Sequence, residues 1–295
     1  MSNVKICFLG NSDTPANLLK LFSKMTPGRS GKWGKIEGTG NIEDANYFVT
    51  IDRIPPSYSS RVPENKTIFL GAHPETNPGY SNMDNLNAFA KFDCKKEVGF
   101  LEWWIDYDYD YLSNLSAPLK TQVLGTILSN ESANKSHILR RQYLEKFCNS
   151  YPNRLDIYGR IVPWGSLIPH YKGVCGQVNK SVGNYWSGKE PVYLSHKYML
   201  EFDAMGKYYF SERVLDCMLL WAIPIYWGGE GMQVVLPENS FRYLNIEGKG
   251  DDVIKVIDID FYNKHLNDLA KARDILLNEQ QLWAKVHKAI LGTYK

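Results

Sequence analysis

The residues best placed to do chemistry lie between positions 197 and 229. A strand-like run ends at Phe202, Asp203, Gly206 and Lys207 follow, and Ser211, Glu212 and Arg213 come next. Ser211 suits an N-cap, and Val214, Leu215, Met218 and Leu219 repeat at helical spacing. This predicts a helix from Glu212 to about residue 222 with its start fixed by the core. The unpaired N–H groups and partial positive charge of a helix start attract an anion, and Arg213 adds a full charge on a two-pronged donor. Every α/β crossover has such a start, so physical chemistry alone predicts an anion site without saying what the anion carries. Other catalytic templates are missing. His73, His137, His170, His196, His265 and His287 lack metal-ligand spacing, no cysteine pair completes a zinc site, and there is no G-x-S-x-G, P-loop or G-x-G-x-x-G.

The same segment carries a resemblance. Tyr209-Phe210-Ser211-Glu212-Arg213, then Leu215-Asp216, then Ile223-Pro224-Ile225-Tyr226-Trp227-Gly228 resemble the signature of family 10 glycosyltransferases, the α1,3/4-fucosyltransferases. Their pattern runs close to Y-[VF]-T-E-K-x-x-D and then I-P-I-Y-W-G. The run before it, ending Phe202-Asp203-Ala204, resembles the family strand ending F-E-N. Pro237-Glu238-Asn239-Ser240-Phe241, Ser129-Asn130 with Leu139-Arg140, and Tyr171-Lys172-Gly173 resemble further family segments. The similarity is firm over residues 120 to 250 and faint before them.

The resemblance implies an α/β chain of the GT-B type: two Rossmann-like lobes with the active site in the cleft between them. It further implies an inverting transfer of a sugar, L-fucose from GDP-fucose, onto a saccharide hydroxyl, with no metal and no cofactor beyond the donor. Arg140 and Arg213 would clamp the diphosphate, Arg213 standing where the family has Lys; with no metal, fixed cations and a helix start must stabilise the leaving charge. Glu212 would hold the ribose hydroxyls, Tyr209 and Ser211 would complete the nucleotide site, and Asp203 would face the sugar. Because Asp203-Ala204 replaces the family's E-N, the sugar contacts differ, and hydroxyl discrimination rests on paired polar groups. Two alternatives stay open: the same fold with another donor such as UDP-xylose, and a non-catalytic nucleotide- or sugar-binding protein.

An inverting transferase needs a proton acceptor, which the family supplies as a Glu after a strand and Gly. Here the strand leads to Gly71-Ala72-His73-Pro74-Glu75, and the expected Glu is absent. Glu75 keeps the chemical type and is favoured narrowly over His73, which Pro74 holds on an extended chain. Both can act as bases when the cleft tunes them. Glu102 is a third candidate.

The elements that must position these groups follow a strand–helix alternation. Apolar runs at 4–9, 46–51 and 67–70 read as buried strands and 16–22 as a helix; 121–128, 155–158, 197–202, 223–227 and a segment near Phe241 read as a second series, with a helix from Leu139. Residues 262–290 hold no Pro or Gly and read as helical. The alternating Asp/Tyr run at 106–111 reads as a solvated linker or edge. It sets the boundary between an acceptor-side lobe, 1–117, and a nucleotide-sugar lobe, 118–295, that includes the terminal helix. Ligands of such sheets sit at the carboxyl ends of the strands.

The chain of 295 residues is large enough for two such units, and its 44% hydrophobic and 22% charged residues exclude disorder. A net charge of +2 excludes a protein that coats nucleic acid or an anionic membrane. Aromatics reach 13%; most fill cores, although sugar clefts also use such rings. The five cysteines are odd in number and widely spaced, which predicts free thiols in a reducing compartment. No run is long enough for a signal peptide or a bilayer span, so a bacterial or viral form working in the cytoplasm, the host's if viral, is expected.

Overall fold

The structure, a computed structural model, describes residues 3–11, 13–76, 82–99, 101–130, 135–161, 165–175 and 188–292. Two six-stranded sheets organise the chain. The first comprises β1 (Val4–Leu9), β2 (Lys32–Trp33), β3 (Ile36–Gly38), β4 (Tyr47–Ile51), β5 (Thr67–Leu70) and β6 (Ala90–Phe92), in the order 2-3-1-4-5-6. All its pairings are parallel except β2 with β3. The second comprises β7 (Gln122–Ser129), β8 (Asp156–Arg160), β9 (Tyr171–Gly173), β10 (His196–Phe202), β11 (Ile223–Trp227) and β12 (Arg242–Tyr243), in the order 12-11-10-7-8-9, parallel throughout.

Central strands are covered on both faces, which is why they read as short unbroken apolar runs. All four residues of β5 are buried. The chain leaves β1 toward β3 on one side and β4 on the other, and leaves β7 toward β8 and β10 in the same way. Each sheet therefore has a switch point with a crevice at the carboxyl ends of those two strands. The two parallel sheets match the expected GT-B architecture. The short strands β2, β3, β6 and β9 were not expected; at two or three residues each they carry too little periodicity to be read.

Two expectations are corrected. Residues 106–111 are not a free linker. Asp108 accepts from the backbone N–H of Tyr111 at the start of helix Tyr109–Asn114 and pairs with Arg29 at 2.8 Å, and Asp110 accepts from the N–H of Gly28 at 2.7 Å. Tyr109 packs edge-on against Trp33 and donates to Asn278. Alternation here serves a helix cap on one side and aromatic packing on the other. The terminal segment, for its part, is not one helix on the second lobe. It divides into Phe261–Lys264, Leu266–Ile275, a wider turn at Leu276–Gln280, and Leu282–Leu291.

The last of these helices packs on the first sheet. Trp283 is fully buried against Phe8 and donates its indole N–H to the carbonyl of Phe22 at 2.8 Å. The buried ammonium of Lys285 donates to the carbonyls of Val98 and Gly99. An apolar face long enough to bury Trp283 and Val286 goes where the open face is, and sequence order does not decide that.

Candidate functional site

Phe202 ends β10, and its neighbour β7 ends at Ser129; the crevice between them is the switch point of the second sheet. Helix Glu212–Leu219 starts there, and Ser211 caps it by accepting from the N–H of Arg213 at 3.3 Å. The helix is shorter than expected because Trp221 takes a positive φ of 62° and turns the chain into β11. Its buried face, residues 214 to 219, anchors the start.

Asp203 holds the cap itself. Its two carboxylate oxygens accept from the N–H and the hydroxyl of Ser211, at 2.8 Å and 2.6 Å. Burial pushes its pKa up, and these bonds together with Arg213 act against that. The expected sugar-facing carboxylate is thus turned onto the helix start, where it holds the capping Ser211 in place. Arg213 donates to the carbonyl of Phe202 at 2.9 Å. Burial disfavours its charge, but Glu212, Asp203 and Glu201 more than offset that and keep it ionised.

Arg140 lies on helix Lys135–Ser150, only 2% exposed, and donates to the carbonyl of Ser129 at the end of β7 at 3.4 Å. The helix begins before Leu139, which gives Arg140 a full turn of support on either side. Arg140, Asp203, Tyr209, Ser211, Glu212 and Arg213 all line one cavity of about 200 Å³. The structure brings these six residues together at a helix start with two guanidinium groups. A smaller cavity continues from it, lined by Glu212 and Arg213 with Arg160 and Lys189.

Sequence reasoning missed Arg160 and Lys189. Arg160 closes β8 and could have been found as a basic residue at a strand's carboxyl end. Lys189 is 5% exposed and pairs with Asp216 at 2.8 Å; the other Asp216 oxygen accepts from the N–H of Trp104. That network ties the chain between the lobes to the site helix.

Two of the three proton-acceptor candidates, His73 and Glu75, lie on the loop after β5. Glu75 reaches the second lobe, where its Oε1 accepts from the N–H of Lys207 at 3.1 Å, while its Oε2 is enclosed beside Gly206 with no hydrogen-bond partner among the described residues. The hydroxyl of Thr76 donates to the carbonyl of Met205. Glu75 lines a wider cavity of about 700 Å³ with Tyr226, Trp227, Glu230 and Tyr243. Gly206 and Gly229 are required there: a Cβ on Gly229 would meet the Gly206 carbonyl oxygen at 1.7 Å.

His73 is bound through Nδ1 to Asp52 at 2.7 Å, and this bond raises the imidazole pKa against the opposing effect of burial. Asp52, missed by sequence reasoning, follows β4; its only signal was a carboxylate immediately after a buried strand. Glu102 accepts from the Trp104 indole N–H at 2.6 Å, and burial pushes its pKa up to about 7. Neither Glu102 nor His73 lines any of these three cavities. Of the aromatic residues that the sequence offers for a sugar cleft, Tyr185 and Trp186 lie outside the described residues.

No family model matches the chain, and no curated protein matches it. Solved structures do. An α1,3-fucosyltransferase is similar at 17% identity over 95% of this chain and 83% of that one, with a TM-score of 0.48. A complex of α1,3-fucosyltransferase with GDP-fucose is similar at 14% identity over 96% and 92%, with a TM-score of 0.49. HepE of Anabaena in complex with UDP-glucose is similar at 10% identity over 99% of each chain, with a TM-score of 0.48.

Proposed function

We propose that the protein is a GT-B glycosyltransferase that moves a sugar from a nucleotide diphosphate donor to a saccharide hydroxyl with inversion, the donor being GDP-fucose. The carrying observation is the cavity at the start of helix Glu212–Leu219, which Arg140 and Arg213 both line. Such a site stabilises charge that grows on a departing diphosphate, which is the main electrostatic task of a transfer without metal. Glu212 beside it accepts from vicinal ribose hydroxyls. The wider cavity, with Trp227 and Tyr243 on its wall, takes the sugar and the acceptor, because pyranose faces stack on such rings.

Residues 1–117 then form the acceptor side and the chain from 118 the donor side, with the terminal helix returned to the first. Among the described residues no helix is long and apolar enough to cross a membrane, and the five free thiols support work in the cytoplasm.

The test is nucleotide release from GDP-fucose, UDP-xylose and UDP-glucose in EDTA, with mixed mono- and disaccharides as acceptors. GDP release from GDP-fucose is the expected result. UDP release instead would reassign the donor, binding without turnover would make this a binding protein, and turnover that requires added Mg²⁺ or Mn²⁺ would overturn the metal-free reading.

A further inference from the structure

The crevice at the carboxyl edge of the first sheet holds a pair of side chains with the geometry of an oriented base. Asp52 immediately follows β4 and Ala72 lies just past β5, neighbouring strands paired through Ile51 and Leu70. Asp52 takes a φ of 59°, a left-handed conformation that Asp tolerates better than most residues. That turn aims its carboxylate at the next loop. One oxygen accepts from the N–H of Ala72 at 2.9 Å and the other meets His73 Nδ1 at 2.7 Å. The Asp52 side chain is 12% exposed and that of His73 is 43% exposed. A carboxylate bonded to Nδ1 fixes the proton there and leaves Nε2 as the acceptor. Nε2 has no hydrogen bond among the described residues.

The rival carboxylates are already engaged. Glu75 lines the wider cavity, but one of its oxygens is bonded to Lys207 and the other is enclosed beside Gly206, and Glu102 gives an oxygen to the Trp104 indole. A base must offer a lone pair that a hydroxyl can reach; His73 lines none of the three cavities, but its half-exposed ring presents Nε2 to solvent. The next residues, Pro74 to Thr76, dock on the 205–207 loop that leads into the Arg213 helix, so the loop that carries the ring joins the first sheet to the second lobe.

We propose that Asp52 and His73 form the dyad that accepts the proton of the acceptor hydroxyl, with His73 as the catalytic base and Asp52 as its positioning residue. This rests on the glycosyltransferase reading. As the acceptor oxygen bonds to the anomeric carbon, its proton passes to Nε2. The bond from that carbon to the diphosphate breaks and its electron pair leaves on the diphosphate. The imidazolium then returns the proton to water.

The experiment compares the parent with His73→Asn, His73→Ala, Asp52→Asn and Glu75→Gln. It uses titration with GDP and UDP for binding and nucleotide release from GDP-fucose and UDP-glucose, with mixed saccharides, for turnover. His73→Asn should lose about 10²- to 10⁴-fold in turnover, the scale of general base catalysis, with nucleotide affinity unchanged. Free imidazole should restore part of the turnover of His73→Ala, which a merely structural role would not allow.

Asp52→Asn suits the left-handed turn and can still accept from Ala72, but it offers an N–H to Nδ1 and moves the ring proton to Nε2. It should therefore bind nucleotide like the parent and turn over far more slowly. If the His73 and Asp52 variants keep parental turnover, the dyad is refuted while the transferase reading stands, and loss confined to Glu75→Gln would give Glu75 the role. A parent that neither binds a nucleoside diphosphate nor releases one overturns both.

Discussion

The two sides of the cleft are built by different rules. On the second lobe a single stretch, from Phe202 to Arg213, makes most of the proposed anion site: Asp203 grips Ser211, Ser211 caps the helix, and Arg213 folds back onto Phe202, while Arg140 joins the same cavity from helix Lys135–Ser150. Apart from Arg140 its parts are within a dozen residues, so their geometry follows from local backbone preferences. On the first lobe Asp52 and His73 come from the ends of neighbouring strands, and Glu75 is placed by contact with the other lobe. Diphosphate binding can thus be written into a short motif, whereas a base is a relation between distant positions and is free to move along a loop.

Variants test that contrast, beginning with the largest expected effect. Trp283→Ala removes a fully buried indole and its bond to Phe22, and should cost about 3–5 kcal/mol of stability. Hydrogen exchange should show the loss concentrated in the first sheet; equal loss in both sheets would break the division between the sides. Arg213→Ala should cost about 2–4 kcal/mol in transition-state terms and weaken nucleoside diphosphate binding, the scale for removing one electrostatic stabiliser. Arg213→Lys should recover part of this, because charge returns without the two-pronged geometry. Parental kinetics in Arg213→Ala would remove the anion site from the motif.

Ser211→Ala should cost about 1 kcal/mol, the worth of an N-cap, with diphosphate affinity falling alongside the melting temperature. A melting change with affinity intact would show that the cap and the anion site are separable. The mildest test is a slope. Burial pushes Glu201, which accepts from Tyr193, up to about 8 from 4.5. Between those values the folded chain holds a proton that the unfolded chain has lost, so this carboxyl's contribution to stability declines as pH rises from 4.5 to about 8. Glu201→Gln keeps the acceptor and should flatten that part of the stability profile; an unchanged profile would show that Glu201 is ionised throughout.

What the sequence reveals follows the same divide. Strands β1, β5 and β11 are read to the residue because each is a buried run ended by turn formers or a change of pattern. Arg140, Tyr209, Ser211, Glu212 and Arg213 line one cavity; the last three are legible because a capped helix start fixes them. Asp203 is found but its partner is not, since a one-dimensional pattern does not say which N–H a carboxylate will meet. Asp52 is invisible because its importance lies in a left-handed turn and a neighbour twenty-one positions on. The terminal segment is recognised as helical, yet nothing in the absence of Pro and Gly says which sheet it will cover.

That last helix has a consequence for synthesis. The first sheet is complete at Phe92, but its core includes Trp283 beside Phe8. Domains generally fold in order as the chain emerges from the ribosome. Here the first lobe waits with an open apolar face while the whole second lobe is translated, and the opening half of the protein is the last to close.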